Sequence, residues 1–308
     1  MVPSCSPAQR FSHRTLSAEI TMRPHLVWFT TSLFAMFCSG TLYYCNAMAQ
    51  ENARPASAIS ILAWNMESPG SDPEVIAKQL DSLQPFDIFA LSEVPENATK
   101  LFTKRWGEAN SFVGATGGPS RLVIGWNPQV LDAVNMEELK AIDGKGFGPG
   151  NQIAPLMVHF KTRSSPIEFK LVMNKLTRGS GEVRKTQALL LSQWGKAQQV
   201  PCVAVGGYNF DYNFKTEKGN ASFDAFLETK VWNWIKPKEL IDNNWADSNR
   251  DGQDDYPDSI LDYTFTANWE SLASKVEIKS EVVVREGDFP DNDETSDHRP
   301  LRTTLTVK

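Results

Sequence analysis

The stretch TSDHRPL, Thr295 to Leu301, puts an acid and a histidine, Asp297 and His298, directly before the strand-like run PLRTTLTV. Other apolar runs also end in a polar group. LAWN ends in Asn65, ALSE in Glu93, VMNK in Asn174 and Lys175, and GGYN in Asn209; DSILDY places Asp262 inside a run. Each has an ordinary structural reading. Asn65 caps a loop, Glu93 is solvated, Asp262 ties a turn, and His298 lies on the surface. Taken together, they argue that several strand ends face one edge.

The runs ISILAWN, FDIFALSEV, RLVIGWN, APLMVHFKT, IEFKLVMNKL, PCVAVGG, ILDYTFTA, KVEIKSEVVV and PLRTTLTV read as strands. Two helices stand out. Asp72-Pro73-Glu74 combines a cap, a first-turn proline and an acid near the dipole, with Ile76, Leu80 and Leu83 on one face. The second runs from about Glu182 to Lys196, with Val183, Leu190 and Trp194 at helical spacing. Nine strands and few helices predict two packed sheets with helices outside.

The pieces LAWNMES, DIFALSEV, NKL, GGYNFD, LDYTF and SDHRPL occur in the order found in the endonuclease/exonuclease/phosphatase superfamily, which the chain resembles over nearly all of its length after Ile59. Ser296-Asp297-His298-x-Pro300-Leu301 is the most specific of them. The resemblance implies a DNase I-like four-layer α/β sandwich, two mixed β-sheets packed face to face with helices outside, over residues 59–308. It implies metal-assisted attack of water on a phosphoester. Glu93 would hold Mg²⁺ (or Mn²⁺), with Asn65 and Asp297 completing or supporting the shell. Asn209 would stabilise phosphate charge through its amide, and His298 would hydrogen-bond to phosphate or water while Asp262 orients its ring. Asn174 and Arg178 would lie at the phosphate. The chain departs from the family twice. Gly206-Gly207-Tyr208-Asn209 replaces Gly-Asp-x-Asn, which removes the carboxylate that orients the water. Asn174-Lys175-Leu176 replaces Asn-His-Leu, and lysine is a poor proton shuttle at neutral pH. Asp211 would supply a substitute carboxylate if the strand continues past Asn209, because the two would then share a face. Hydrolysis is therefore expected to be weakened; the alternative is a degraded, phosphate-ligand-binding member of the same fold.

A second pattern lies in DSNRDGQDDYPD, Asp247 to Asp258. Asp247, Asn249, Asp251 and Asp258, with the Gln253 carbonyl and Gly252 at the turn, approach the spacing of a Ca²⁺ loop, so structural Ca²⁺ is one expectation and a solvated acidic loop the other. Lys161, Arg163, Lys175, Arg178, Arg184 and Lys185 form a loose basic cluster that either receives phosphate or is ordinary solvated charge. The nine tryptophans are scattered, which suits core packing.

Leu26–Tyr44 is an uncharged apolar run preceded by Arg23 and followed by Ala47-x-Ala49. This reads as a signal peptide over residues 1–49, with Met22 the suspected start, a short lead-in at 50–58, and secretion or a periplasmic location as the outcome; an uncleaved membrane anchor is the alternative. Cleavage would leave a chain without stable membrane association. The whole chain carries a net charge of −6, and loss of Arg10, Arg14, Arg23 and Glu19 leaves 28 basic against 36 acidic side chains, a net of −8. That acidity repels nucleic acid at long range and favours a small phosphoester substrate over long DNA. Only Cys202 survives processing, so no intrachain disulfide forms, and a monomer is expected.

Overall fold

The computed structural model describes residues 58–66, 70–142, 144–148, 152–247, 249, 251–289 and 294–308. The described residues all lie in one compact unit, Arg54–Lys308. The leader reading, its Met22 start and most of the lead-in lie outside the described residues. Among those described, no helix is long and apolar enough to cross a membrane.

The described residues form fourteen strands in chain order: β1 (Ala58–Asn65), β2 (Ile88–Pro95), β3 (Ser111–Val113), β4 (Ser120–Trp126), β5 (Leu131–Glu138), β6 (Ala141–Ile142), β7 (Lys145–Gly146), β8 (Leu156–Thr162), β9 (Glu168–Lys175), β10 (Cys202–Asn213), β11 (Asn233–Trp234), β12 (Ser259–Ala267), β13 (Val276–Val282) and β14 (Leu301–Val307). One six-stranded sheet has the order β13-β14-β1-β2-β4-β3, and the other β11-β12-β10-β9-β8-β5. Each is mixed and has one parallel pair at its centre, β1 with β2 and β9 with β10. The two parallel pairs thus end on their carboxyl sides, where chain reversals leave room for chemistry.

The sheets face each other across an apolar layer. Ile61, Ala63, Ile88, Ala90 and Ile124 from one side pack with Val158, Phe160, Leu171, Met173 and Val205 from the other. Strand alternation sends the intervening side chains outward. On the first sheet, Leu62, Trp64, Phe89 and Leu91 meet Ile76 and Leu80 of the helix Pro73–Ser82. On the second, Val172, Ala204, Tyr208 and Phe265 meet Leu191 of the helix Gly181–Lys196 and Phe226 of the helix Ala221–Glu228. Helix, sheet, sheet, helix is the four-layer α/β sandwich. Each large apolar side chain so buried contributes about 1.5–3 kcal/mol.

All nine expected strands are present, and the helix at Asp72 is capped as expected, with Glu74 donating its backbone N–H to the Asp72 carboxylate. The sequence reading lacks β5. That edge strand buries only Leu131 fully and exposes five of its eight residues, so no apolar alternation marks it. It also lacks the helix Ala221–Glu228, whose cap is Asn220 in the turn after β10.

Candidate functional site

The strand ends converge. In the register of β2 against β4 a shift falls between Leu91 and Val94, and Glu93 inside it takes φ 56°. In β10 against β12 a shift falls between Gly207 and Tyr212, and Asn209 and Asp211 inside it take φ 52° and 48°. Left-handed backbone at non-glycine residues is costly and persists where the surroundings enforce it. The bulges re-aim side chains at corresponding places in both sheets.

Two polar links then cross from sheet to sheet. Lys175, at the end of β9, sets its Nζ 2.6 Å from Glu93 Oε1, and Asn65 Nδ2 donates to the same oxygen at 3.0 Å. Both charged side chains are largely covered, at 14% and 22% exposure. Burial opposes the charge on Glu93, but Lys175, with His298 and the Asn65 amide, outweighs it and holds the carboxyl below its usual range. The second link joins His298 Nδ1 to Asp262 Oδ2 at 2.5 Å, with both side chains 5% exposed. Burial disfavours the imidazolium, yet Asp262 and Asp297 overcome that and raise the His298 pKa. Asp297 Oδ1 lies 3.6 Å from Nε2, and burial pushes the Asp297 carboxyl up despite His298.

His298 is positioned from the first sheet as well. Trp64 Nε1 donates to its carbonyl at 2.7 Å, its own N–H donates to Ser296 Oγ, and Ser296 Oγ donates to the Asn65 carbonyl. Asn243, wholly buried, accepts from the Leu261 N–H and donates to the Asp262 carbonyl, which fixes the strand that carries the carboxylate. Neither Trp64 nor Asn243 was legible as a positioning residue, because their partners at His298, Leu261 and Asp262 are distant in sequence and no local pattern encodes them. Ser296 stands in the SDHRPL motif, two residues from the N–H it accepts, but the motif alone gave it no role.

No family model matches the chain, and no curated protein is significantly similar to it. Solved structures do match. A humanised TDP2 of D. rerio superposes with a TM-score of 0.62 at 18% identity, covering 82% of this chain and 100% of that one. An endonuclease/exonuclease/phosphatase family protein from Bacteroides thetaiotaomicron gives 0.58 at 17% identity, with 83% and 100% covered. A mannosyl-6-phosphatase from the same organism gives 0.57 at 18%, with 80% and 99% covered. The chain has the endonuclease/exonuclease/phosphatase fold.

Within that fold the expected site residues divide. Glu93, Asn65, Lys175, Asp297, His298 and Asp262 come together. Asn174 does not join them: as the neighbour of Lys175 it points to the opposite face of β9, is wholly buried, and donates from Nδ2 to Tyr208 Oη at 3.0 Å. It belongs to the helix-covered layer, and the expectation that it meets phosphate is corrected. Asn209 spends an amide hydrogen on the Leu176 carbonyl at 2.7 Å, tying the turn after β9 to the bulge of β10. Asp211 is also corrected as a substitute carboxylate. The strand bulges before reaching it, and its exposed carboxylate accepts from Asn220 Nδ2 beside that helix cap. Arg178 is exposed, its guanidinium 5.8 Å from the centre of the Tyr256 ring, and its charge reaches Asp297. Together with Arg184, Asp211, Asn244, Tyr256 and Leu261 it lines a cleft of about 310 Å³, in which Leu261 directly precedes Asp262 and Asn244 forms a β-bridge with His298. A wider groove, between the helix Pro73–Ser82 and the segment from Leu101 to Arg105, holds none of the converging groups.

The fold family implies a divalent cation at Glu93, and the donor set present does not fit one. Glu93 Oε1 already holds an ammonium and an amide. Gly207 offers no side-chain oxygen, and its carbonyl accepts from the Leu176 N–H; a Cβ there would stand 3.3 Å from Asp262 Oδ1 and 3.7 Å from Lys175 Nζ, in the space a family carboxylate would fill. A divalent ion about 4 Å from the ammonium would meet a repulsion of roughly 8 kcal/mol at an effective dielectric of 20. Among the described residues no three His, Cys, Asp or Glu side chains group to hold a metal. In the loop 247–258 the carboxylates are turned onto backbone: Asp247 accepts from the N–H groups of Asp251 and Gly252, and Asp251 from that of Gln253. Of the basic cluster, Arg163 pairs with Asp132 and Lys161 with Glu168, so these are structural charges.

Proposed function

We propose that the protein binds a small phosphoester at the shared carboxyl edge of the two sheets and hydrolyses it slowly. The carrying observation is the pair of cross-sheet links, Lys175–Glu93 and His298–Asp262, which bring an ammonium and an imidazolium to one rim. His298, held by Asp262 at Nδ1, has Nε2–H to donate to a phosphate oxygen. Lys175 adds a second cationic donor, and Arg178 a third at the mouth of the adjoining cleft. Three cationic donors suit a dianionic phosphate. The cleft beside them suits the organic half of the ester. What the rim lacks is a carboxylate at Gly207 to orient or deprotonate water, and general-base help is typically worth about 10²–10⁴-fold. The names of the structural neighbours agree with phosphoester chemistry: one is a mannosyl-6-phosphatase, and another is a TDP2 complexed with a single-stranded DNA product. An acidic chain favours the smaller of these ligand types.

The test is hydrolysis of p-nitrophenyl phosphate and bis(p-nitrophenyl) phosphate by the full chain, with plasmid DNA in parallel. Slow turnover of a small ester, abolished by His298→Ala, is expected. Rapid turnover that survives both His298→Ala and Glu93→Ala would place the chemistry elsewhere.

A further inference from the structure

We propose that Lys175 takes the place of the divalent cation in this site, so that the protein binds phosphate through its own ammonium group and without metal. The proposal rests on the phosphoester reading above and deepens it. Its basis is the geometry around Glu93. The carboxylate oxygen that would take a metal instead takes Lys175 Nζ at 2.6 Å, and Asn65 Nδ2 supports that same oxygen at 3.0 Å. A lysine ammonium is a compact cation with three donors, and the contact with Glu93 uses one. The side chain arrives from β9 across the gap between the sheets, held by a strand whose preceding residues pack in the core, so the ammonium is fixed rather than trailing in solvent. Its side chain keeps 14% of its surface open.

The neighbouring glycine belongs to the same arrangement. Any side chain at position 207 would crowd Lys175, since a Cβ there would stand 3.2 Å from its Cδ. Gly207 therefore gives the lysine its path to Glu93. The two departures from the family pattern, glycine at 207 and lysine at 175, act as one substitution: the first clears the space and the second fills it with a cation.

Isothermal titration of the full chain with inorganic phosphate tests this, run once in EDTA and once in Mg²⁺, beside a titration with Mg²⁺ alone. The expected result is the same phosphate affinity in both buffers and no Mg²⁺ binding at the site. Lys175→Met should weaken phosphate at least about tenfold, as loss of one charge-assisted hydrogen bond does. The double variant Lys175→Met/Glu93→Gln removes both charges and keeps the shape. It serves as the folded control, expected to bind neither ligand. Phosphate binding that requires Mg²⁺, or Mg²⁺ binding to the unmodified chain that Glu93→Gln removes, overturns the lysine proposal and leaves the phosphoester reading standing. Absence of phosphate binding in both buffers defeats both.

Discussion

Asp262→Asn removes the counter-charge of His298 while keeping the shape of the side chain. Both groups of this pair are 5% exposed, so the rule for buried pairs applies rather than the small value of surface ones. Breaking a buried pair by removing one partner costs about 3–5 kcal/mol. Here Asp297, 3.6 Å from Nε2, still faces the imidazolium, which places the loss near the lower end, about 3 kcal/mol. The loss depends on pH with a definite sign. The His298 pKa is raised in the folded state by Asp262 and Asp297 against the opposing effect of burial. The stabilisation it carries is therefore complete below the unfolded histidine value, about 6.5, and disappears as pH rises through the folded one. Urea unfolding followed by tryptophan fluorescence should show the full deficit of Asp262→Asn at pH 5.5 and a much smaller one at pH 9.5. An equal deficit at both values would mean that His298 does not change charge between them, and the link between its ionisation and the stability of the pair would be wrong.

Gly207→Asp combined with Lys175→His restores both missing groups, and hydrolysis of bis(p-nitrophenyl) phosphate should rise by about 10²-fold or more; an unchanged rate would show that these positions do not limit turnover. Gly125 faces Phe89 across the β2–β4 pair, and a Cβ there would lie 2.2 Å from the ring, which is stacked on Trp106 and has no retreat. Gly125→Ala should cost about 1–3 kcal/mol in urea unfolding, relieved by adding Phe89→Leu. Burial, with Asp254 and Asp258 nearby, pushes the Asp242 carboxyl up to about 6 despite its hydrogen bond from Ser259 N–H. A raised acid penalises the fold only where it is ionised, so Asp242→Asn should stabilise by about 1–2 kcal/mol at pH 8, after allowance for its partial exposure, and by nothing at pH 3.5.

The sheets were legible because their strands carry long apolar or alternating runs, and the strand tips were legible because each run stops at a polar group. Asn174 shows where this reading fails. Its place in the run matches that of Lys175, yet a single step along a strand reverses the face, and sequence order alone does not say which neighbour turns inward. Asp211 fails for a related reason. The two-residue repeat that would align it with Asn209 holds only in regular strand, and the bulge that breaks the repeat shows itself as positive φ at ordinary residues. The Lys175–Glu93 contact lay beyond reach as well, since its partners are 82 positions apart in sequence and meet only when the two sheets dock. Cys202 stood at the other extreme. Its run of small and branched neighbours predicts a covered thiol; the group is wholly enclosed, and burial pushes it up to about 12.

His298 hangs by its carbonyl from Trp64 in one half of the molecule and by its ring from Asp262 in the other. Any slippage of one half past the other must therefore tear the imidazole from one of its two moorings before either half loses its own ladder of backbone bonds. Under mild denaturant, ligand affinity should thus fade ahead of far-ultraviolet circular dichroism, so that a binding curve becomes a gauge of how firmly the halves are clasped.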